Sequence, residues 1–257
     1  MRGSESIIWA TLGQVDLLLK AEHKDFIVSI PEPSLNRISR LRMSLFLALL
    51  NTDVELDEHL TCLYDISGSA HVDTLTITTP SRHFPWLLQE DVTDTRRLPA
   101  LRHFERLIEI ALCLAVEGRE GRPIGTIFVL GEPALLAPYL RQLILNPCSG
   151  HPPHERDIHN PSFMETLREF AALDGAFVIS HTGTVESAGT YLDAPTYIGT
   201  LQRGYGARHA AAAAITMATR CFAIVISESS GTVTVFYEGR VTLALERPDN
   251  TPQRALD

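Results

Sequence analysis

The chain has 257 residues, 45% of them hydrophobic, and its 22 basic against 31 acidic side chains give a formal net charge of −9. This length and composition are typical of one large or two small globular domains. The acidic balance argues against a general nucleic-acid or membrane-surface binder, which would carry a basic excess. A nucleotide ligand is compatible with it, because phosphate recognition requires only a few local donors.

Cysteine usage and the start of the chain indicate a compartment. Cys62, Cys113, Cys148 and Cys221 lie far apart and form no C-x-x-C pair, so we expect free thiols in a reducing environment. No apolar run approaches the length of a membrane span, and Met1–Ser4 lacks the apolar core of a signal peptide. These features predict a cytoplasmic protein with no membrane and no nucleic-acid partner.

The first part of the chain has the pattern of a small α/β domain. A strand-like stretch, Asp25–Ile30, precedes an apolar helical face from Leu35 to Leu49, and further short strand candidates follow. No phosphate-loop or dinucleotide fingerprint occurs there. The irregular, charged stretch Gln89–Arg97 is a reasonable boundary. We therefore predict an N-terminal α/β domain over 1–96 and a second domain over 97–257.

The second part alternates helices with buried strands. A regular apolar stripe predicts a helix from Leu101, and the continuous apolar run Ile124–Gly131 predicts a strand buried on both faces. Phe177–Ile179 and Phe222–Ser227 predict further strands, and the alternation in Val233–Tyr237 indicates an antiparallel one.

Asp174 is a candidate site residue because it stands between a helix and a strand of apolar side chains. A carboxylate in that place needs a backbone cap, a basic side chain or a cation. Gly175 lets a ligand approach the backbone closely. A turn-forming Asp-Gly pair with no further role is the alternative.

A second candidate is Arg208-His209, which follows Gly204 and Gly206 and opens an alanine-rich helix. Backbone N–H groups at a helix start attract phosphate, and Arg208 adds a planar fork of donors. Ordinary exposed basic residues on a turn are the alternative. The strand that follows ends in a hydroxyl and an acid, Ser227-Glu228. Together these pieces suit a nucleotide triphosphate and its metal ion.

Three histidines in a loop, His151, His154 and His159, allow a different class of function, a metal hydrolase. Their spacing lacks the second-ligand framework of such sites, and no paired acids stand nearby. Histidines that cap helices or face water are the favoured interpretation.

The motifs together resemble the diadenylate cyclase domain. Asp174-Gly175-Ala176, Gly206-Ala207-Arg208-His209 followed by alanines, and Ile226-Ser227-Glu228 are similar to its signature elements in order and spacing. The resemblance extends roughly from Leu98 to Leu245. The pieces Asn146-Pro147 and Gly150-His151 and the N-terminal part resemble the archaeal-type branch, whose N-terminal domain is similar to the pyruvate-kinase C-terminal domain.

This resemblance implies a fold and an activity. The fold is α/β with two domains, the second having a central mixed β-sheet flanked by helices. The implied enzyme condenses two ATP molecules into the second messenger cyclic di-AMP and releases two pyrophosphates, using Mn²⁺ or Mg²⁺. It works as a face-to-face homodimer, or a higher homo-oligomer, in which each 3′-hydroxyl attacks the other ATP's α-phosphate.

The resemblance also implies catalytic roles for individual residues. Asp174 is expected to bind the divalent cation and help activate the 3′-hydroxyl. Arg208 and His209 are expected to hold phosphates and stabilise developing charge. The other implied substrate-binding positions are Gly175 and Ala176 beside the ribose, Tyr191 and Leu192 beside the adenine, Gly206 and Ala207 at the helix start, and Ser227 and Glu228 at the phosphates, with Glu228 assisting a metal.

Two positions depart from the family pattern. Ala210 stands where many members have a third basic residue, and Ala207 where many have a threonine. We hypothesise that Arg203, in the same loop, supplies the missing charge. The departures also leave an alternative open, an ATP-binding sensor of the same fold that is impaired in catalysis.

Overall fold

The structure is a computed structural model that describes residues 8–12, 26–30, 35–52, 54–64, 74–84, 101–118, 124–196, 199 and 204–246. The chain divides into two compact units, residues 1–91 with 245–257, and residues 92–244. The predicted division into 1–96 and 97–257 stays a prediction. Among the helices of the described ranges, none has the length and apolar character needed to cross a bilayer.

The first unit combines short strands and helices. Its elements are β1 (Ile8–Leu12), β2 (Phe26–Ile30), α1 (Arg37–Asn51), β3 (Leu60–Tyr64), β4 (Thr74–Thr78) and α2 (Pro80–His83). β1 and β2 pair in parallel, and β3 and β4 pair antiparallel. Helix α1 begins after Asn36, whose side-chain oxygen accepts a hydrogen bond from the backbone N–H of Ser39 at 2.8 Å. The likeness of this part to a pyruvate-kinase domain stays a prediction.

The second unit is built on one mixed sheet. Its elements are α3 (Leu101–Glu117), β5 (Thr126–Gly131), α4 (Pro133–Leu136), β6 (Leu140–Gln142), α5 (Phe163–Phe170), β7 (Ala176–Ser180), β8 (Val185–Leu192), α6 (Ala207–Thr219), β9 (Phe222–Ile226), β10 (Val233–Tyr237) and β11 (Arg240–Leu245). The seven strands follow the order β11-β10-β9-β5-β7-β8-β6. β5 and β7 are parallel, whereas β9 pairs antiparallel with both β5 and β10. The predicted mixed α/β fold with a central sheet and helices is confirmed.

Both faces of the central strands are covered, as the apolar run of β5 predicts. On one face, Phe104 of α3 lies with its ring centroid 5.0 Å from that of Phe222 in β9. On the other, Ala212 and Ala213 of α6 belong to the same buried cluster as Val129 of β5. Small side chains on α6 let the helix lie close to the sheet, so its start is held firmly near the strand ends.

Strand register places the predicted site residues at one end of this sheet. Thr126 at the start of β5 is opposite Ile226 at the end of β9, and Ile127 is opposite Ala176 at the start of β7. Ala176 is in turn opposite Thr190 near the end of β8. The residues just beyond these positions therefore meet at a common border. This border, formed by Gly125, Asp174, Gly175, Tyr191, Ser227, Glu228 and the start of α6, is called the site edge below.

Candidate active site

Asp174 is exposed at the site edge. Its Oδ1 accepts a hydrogen bond from the backbone N–H of Gly175 at 3.0 Å. Across the described ranges, no basic side chain forms an ion pair or hydrogen bond with this carboxylate. The sequence allows a backbone cap, a basic side chain or a cation as partner, and the structure shows the backbone cap. The carboxylate oxygens retain lone pairs that can bind a cation.

Gly175 is required by the packing of β7 against β8. Its φ of +108° lies in the region that favours glycine. An added Cβ would lie 2.7 Å from the backbone carbon of Gly189 and 2.7 Å from the backbone nitrogen of Thr190. Close approach by β8 is therefore the structural reason for this glycine. The same crowding fixes the backbone of Asp174 relative to the sheet.

Arg208 lies in the first turn of α6, next to the end of β9. Its Nη1 is 3.0 Å from Oε2 of Glu228, and the two side chains are 36% and 67% exposed. Gly206 is the N-cap of α6 and provides no side-chain hydrogen bond. The helix start therefore presents backbone N–H groups and a guanidinium at the same border as Asp174, as the sequence predicts for a phosphate site.

The side chain of His209 points into the protein interior and not toward Glu228, the ion-pair partner of Arg208. Its side chain is 6% exposed and stacks on Tyr205, with ring centroids 4.4 Å apart and planes inclined by 7°. It also meets Phe236 edge-on at 6.0 Å. Burial, together with the positive charge of Arg208, lowers the pKa of His209, so its imidazole is neutral at pH 7. Its predicted phosphate role is not visible in these contacts and stays a prediction.

Sequence reasoning did not identify Tyr205. A signal for it was available, because Tyr205 and His209 are four residues apart and residues at that spacing share a face of a helix and its entry. The stack joins the loop before α6 to the helix itself. Arg203, the proposed substitute for the missing charge, lies outside the described residues.

Ser227 belongs to a tight turn that follows β9. Its backbone N–H donates to the carbonyl of Thr232 at 2.9 Å, and its carbonyl accepts from Gly231 at 2.8 Å. The hydroxyl is 3.3 Å from that of Ser229. Several hydroxyl groups are thus gathered beside Glu228, which suits a ligand rich in acceptor oxygens.

Alternation along β8 separates the two residues predicted to line the adenine. Tyr191 is 48% exposed, whereas Leu192 is 7% exposed and packs in the core cluster. Ala176 is fully buried in the same cluster. Among Tyr191, Leu192 and Ala176, Tyr191 is therefore the residue whose side chain can stack on a base. Ala176 reaches the site edge through its backbone alone.

The loop histidines have separate partners. His151 Nδ1 is 3.3 Å from Oε2 of Glu155, and His159 Nε2 is 3.0 Å from Nδ1 of His103 in α3. Within the described ranges, no group of three or more His, Cys, Asp or Glu side chains is arranged to hold a metal ion. The structure thus provides no positive support for a hydrolase centred on His151, His154 and His159.

Named relatives share much of this sequence. The chain is 34% identical over 170 residues to a protein named diadenylate cyclase from Methanocaldococcus jannaschii, which covers 66% of this chain and 54% of that protein. It is 37% identical over 140 residues to a diadenylate cyclase from Haloferax volcanii, which covers 54% of this chain and 51% of that protein. The chain therefore spans about half the length of the curated relatives it matches.

Solved structures are matched at low identity. One is a double-mutant form of DacA from Staphylococcus aureus, with a TM-score of 0.37, 18% identity, and coverage of 55% of this chain and 85% of that one. Another is a hypothetical membrane-spanning protein from Bacillus cereus, with a TM-score of 0.41, 16% identity, and coverage of 61% and 78%.

The family model described as DAC, DisA bacterial checkpoint controller nucleotide-binding, matches residues 113–241. That range is half of the chain and contains β5 to β10, the start of α6 and all of the predicted site residues. The chain therefore belongs to the DAC family of nucleotide-binding domains.

Proposed function

We propose that this chain is a diadenylate cyclase, which condenses two ATP molecules into cyclic di-AMP and releases two pyrophosphates. The observation that carries the proposal is the meeting of Asp174, Arg208 and Glu228 at one border of the sheet in a member of the DAC family. Both curated relatives bear the name diadenylate cyclase.

Asp174 is the proposed metal ligand. An exposed carboxylate with one backbone hydrogen bond has free lone pairs, and carboxylate oxygens suit Mg²⁺ or Mn²⁺. When bound, such an ion supplies positive charge that lowers the pKa of the attacking 3′-hydroxyl. The hydrogen bond from Gly175 orients the carboxylate, and Glu228 is a further carboxylate on the same border.

Arg208 is the proposed phosphate ligand. Its ion pair with Glu228 is partly exposed to solvent, and surface pairs of this kind typically contribute at most about 1 kcal/mol. A triphosphate has more negative charge than one carboxylate and can take over the guanidinium through bidentate bonds. The uncapped start of α6 and the hydroxyl of Ser227 add donors for the same ligand.

Tyr191 is the proposed base platform. Its half-exposed ring can stack on adenine, while buried Leu192 holds the strand that presents it. The ribose would lie beside the backbone of Gly175 and Ala176.

The reaction requires two sites, because each 3′-hydroxyl attacks the α-phosphate of the other ATP. One site edge has one such set of groups, so we infer a homodimer, or a higher homo-oligomer, in which two protomers face each other. No nucleic-acid or membrane partner is expected for this chemistry, and the cytoplasmic location stays a prediction.

A catalytically impaired ATP sensor is the second candidate function. It is favoured by Ala207 and Ala210, which provide no hydroxyl and no charge in the first turn of α6. The acid at Asp174 favours catalysis, because a sensor has little need for a metal-binding carboxylate.

The test is to incubate purified protein with ATP and Mn²⁺ and to separate the products by chromatography. Asp174→Asn is the test variant, and Asp57→Asn, an exposed aspartate in the first unit, is the matched control. Cyclic di-AMP from the wild type and the control, with none from Asp174→Asn, supports the proposal. If the wild type binds ATP but forms no cyclic di-AMP, the sensor is favoured. If the wild type neither binds ATP nor forms cyclic di-AMP, both proposed functions are contradicted.

A further inference from the structure

Gly125 lies immediately before β5, directly under the Arg208–Glu228 pair. An added Cβ at this position would lie 2.6 Å from Nη1 of Arg208, 3.1 Å from its Cζ and 2.8 Å from Cβ of Glu228. Its φ is outside the positive range, so its backbone conformation is open to any residue. The available space, and not backbone freedom, therefore accounts for glycine here.

We propose that Gly125 is a positioning residue for Arg208, because the absence of a side chain at position 125 leaves the space in which the guanidinium of Arg208 lies. This rests on the proposed function in one respect, that Arg208 binds phosphate. The ion pair to Glu228 is partly exposed to solvent and contributes little, whereas Gly125 is buried immediately before a central strand. The rigid surface that sets where the guanidinium lies is thus the backbone at Gly125, and Glu228 can be exchanged for phosphate without losing that placement.

The two neighbours of the added Cβ respond differently. The guanidinium is the far end of a flexible side chain and can move away. Cβ of Glu228 is attached directly to the backbone at the end of β9 and cannot move without the strand. An alanine at position 125 is therefore expected to displace the guanidinium first, and a charge-assisted contact to phosphate weakens when its geometry is lost.

Gly131, at the other end of β5, provides a matched control. An added Cβ there would lie 2.8 Å from Cβ of Cys221, far along the strand from Arg208. Gly131→Ala introduces a comparable crowding with no arginine involved. It is expected to lower stability and to leave phosphate binding unchanged.

The experiment is a double-mutant cycle of Gly125→Ala and Arg208→Ala, titrated with inorganic tripolyphosphate in EDTA and, separately, with adenosine. Gly125→Ala is expected to weaken tripolyphosphate binding about tenfold, the size of one charge-assisted hydrogen bond, and to leave adenosine binding unchanged. In the Arg208→Ala background it is expected to have no further effect. A loss of equal size in that background, or no loss in the wild type, would overturn the proposal.

Thermal unfolding of the same four proteins covers the case in which Gly125→Ala is too unstable to titrate. If the guanidinium contributes to the crowding, Arg208→Ala restores part of the melting temperature that Gly125→Ala loses, and the remaining loss comes from the contact with Cβ of Glu228. If the double variant is as unstable as the single one, the crowding is with Glu228 or the sheet, and the proposal is wrong. Wild-type protein that binds tripolyphosphate and yields no cyclic di-AMP contradicts the proposed function and leaves this cycle readable.

Discussion

The two ends of the seven-stranded sheet differ in how their charged side chains are paired. At the end opposite the site edge, called the far edge here, Glu132 lies 2.9 Å from His181 and Glu238 lies 3.2 Å from Arg220. At the site edge, Glu228 is paired with Arg208 in the same way, but the described residues offer Asp174 only a backbone N–H. Among the described residues, the site edge therefore differs from the far edge in having a carboxylate, that of Asp174, available for an external cation.

The largest expected effect comes from the unpaired acid. Asp174→Asn removes the negative charge that would hold the metal and is expected to lower the rate of cyclic di-AMP formation by about 10²–10⁴-fold. Glu132→Gln, which changes an exposed carboxylate at the far edge, is expected to change the rate less than about twofold. Product formation at saturating ATP measures both. Equal losses in the two variants would remove the distinction between the ends.

Arg208 gives the next largest effect. Arg208→Ala is expected to weaken ATP binding about 10- to 100-fold, because a charged donor to the phosphates is lost. Arg220→Ala changes an exposed arginine at the far edge, and its effect on ATP binding is expected to stay within about twofold. Calorimetric titration with ATP compares the two. An unchanged affinity in Arg208→Ala would contradict the phosphate role.

His209, also at the site edge, is expected to affect stability more than the first two residues do. Its contacts with Tyr205 and Phe236 predict that His209→Ala lowers the free energy of unfolding by about 2 kcal/mol. His209→Phe keeps an aromatic ring in the stack and is expected to retain most of the stability, so its ATP affinity reports on the predicted phosphate role alone. Urea unfolding and ATP titration test the pair. If His209→Phe is stable but binds ATP poorly, the imidazole contacts phosphate, as the family resemblance implies.

The smallest expected effect is on the pH dependence of stability. Because the pKa of His209 is lowered on folding, the unfolded chain binds more protons near and below pH 6.5. This residue's contribution is therefore complete above the unfolded pKa and is lost as the pH falls toward the lowered folded pKa. Unfolding free energies from pH 8 to pH 5 should fall more steeply for the wild type than for His209→Phe. Parallel curves would contradict the burial of a neutral imidazole.

The central strands of the second unit and the start of α6 could be predicted from the sequence, because apolar runs and glycine turns act locally. The continuous apolar pattern of Ile124–Gly131 is seen as a strand buried on both faces, with α3 and α6 against the sheet. Glycines before Arg208 correctly indicated a helix start.

The directions of the side chains could not be predicted in the same way. Adjacent residues on a helix point about 100° apart, and a run of alanines has no polar face to show which of Arg208 and His209 faces the sheet. The importance of Gly125 depends on Arg208, which is distant in sequence, and so leaves no local signal. Alternation in β8 did contain the information that Tyr191 faces out and Leu192 faces in.

The proposed synthesis of cyclic di-AMP by two facing protomers is tested most directly by the yield of cyclic di-AMP from ATP and Mn²⁺ at several protein concentrations. Light scattering follows the molar mass in the same samples. We predict that the specific rate of cyclic di-AMP formation rises as monomer converts to dimer. Product made by a monomer at a concentration-independent rate would contradict the face-to-face mechanism. Absence of cyclic di-AMP at every concentration, from protein that is folded and dimeric, would contradict the proposed activity.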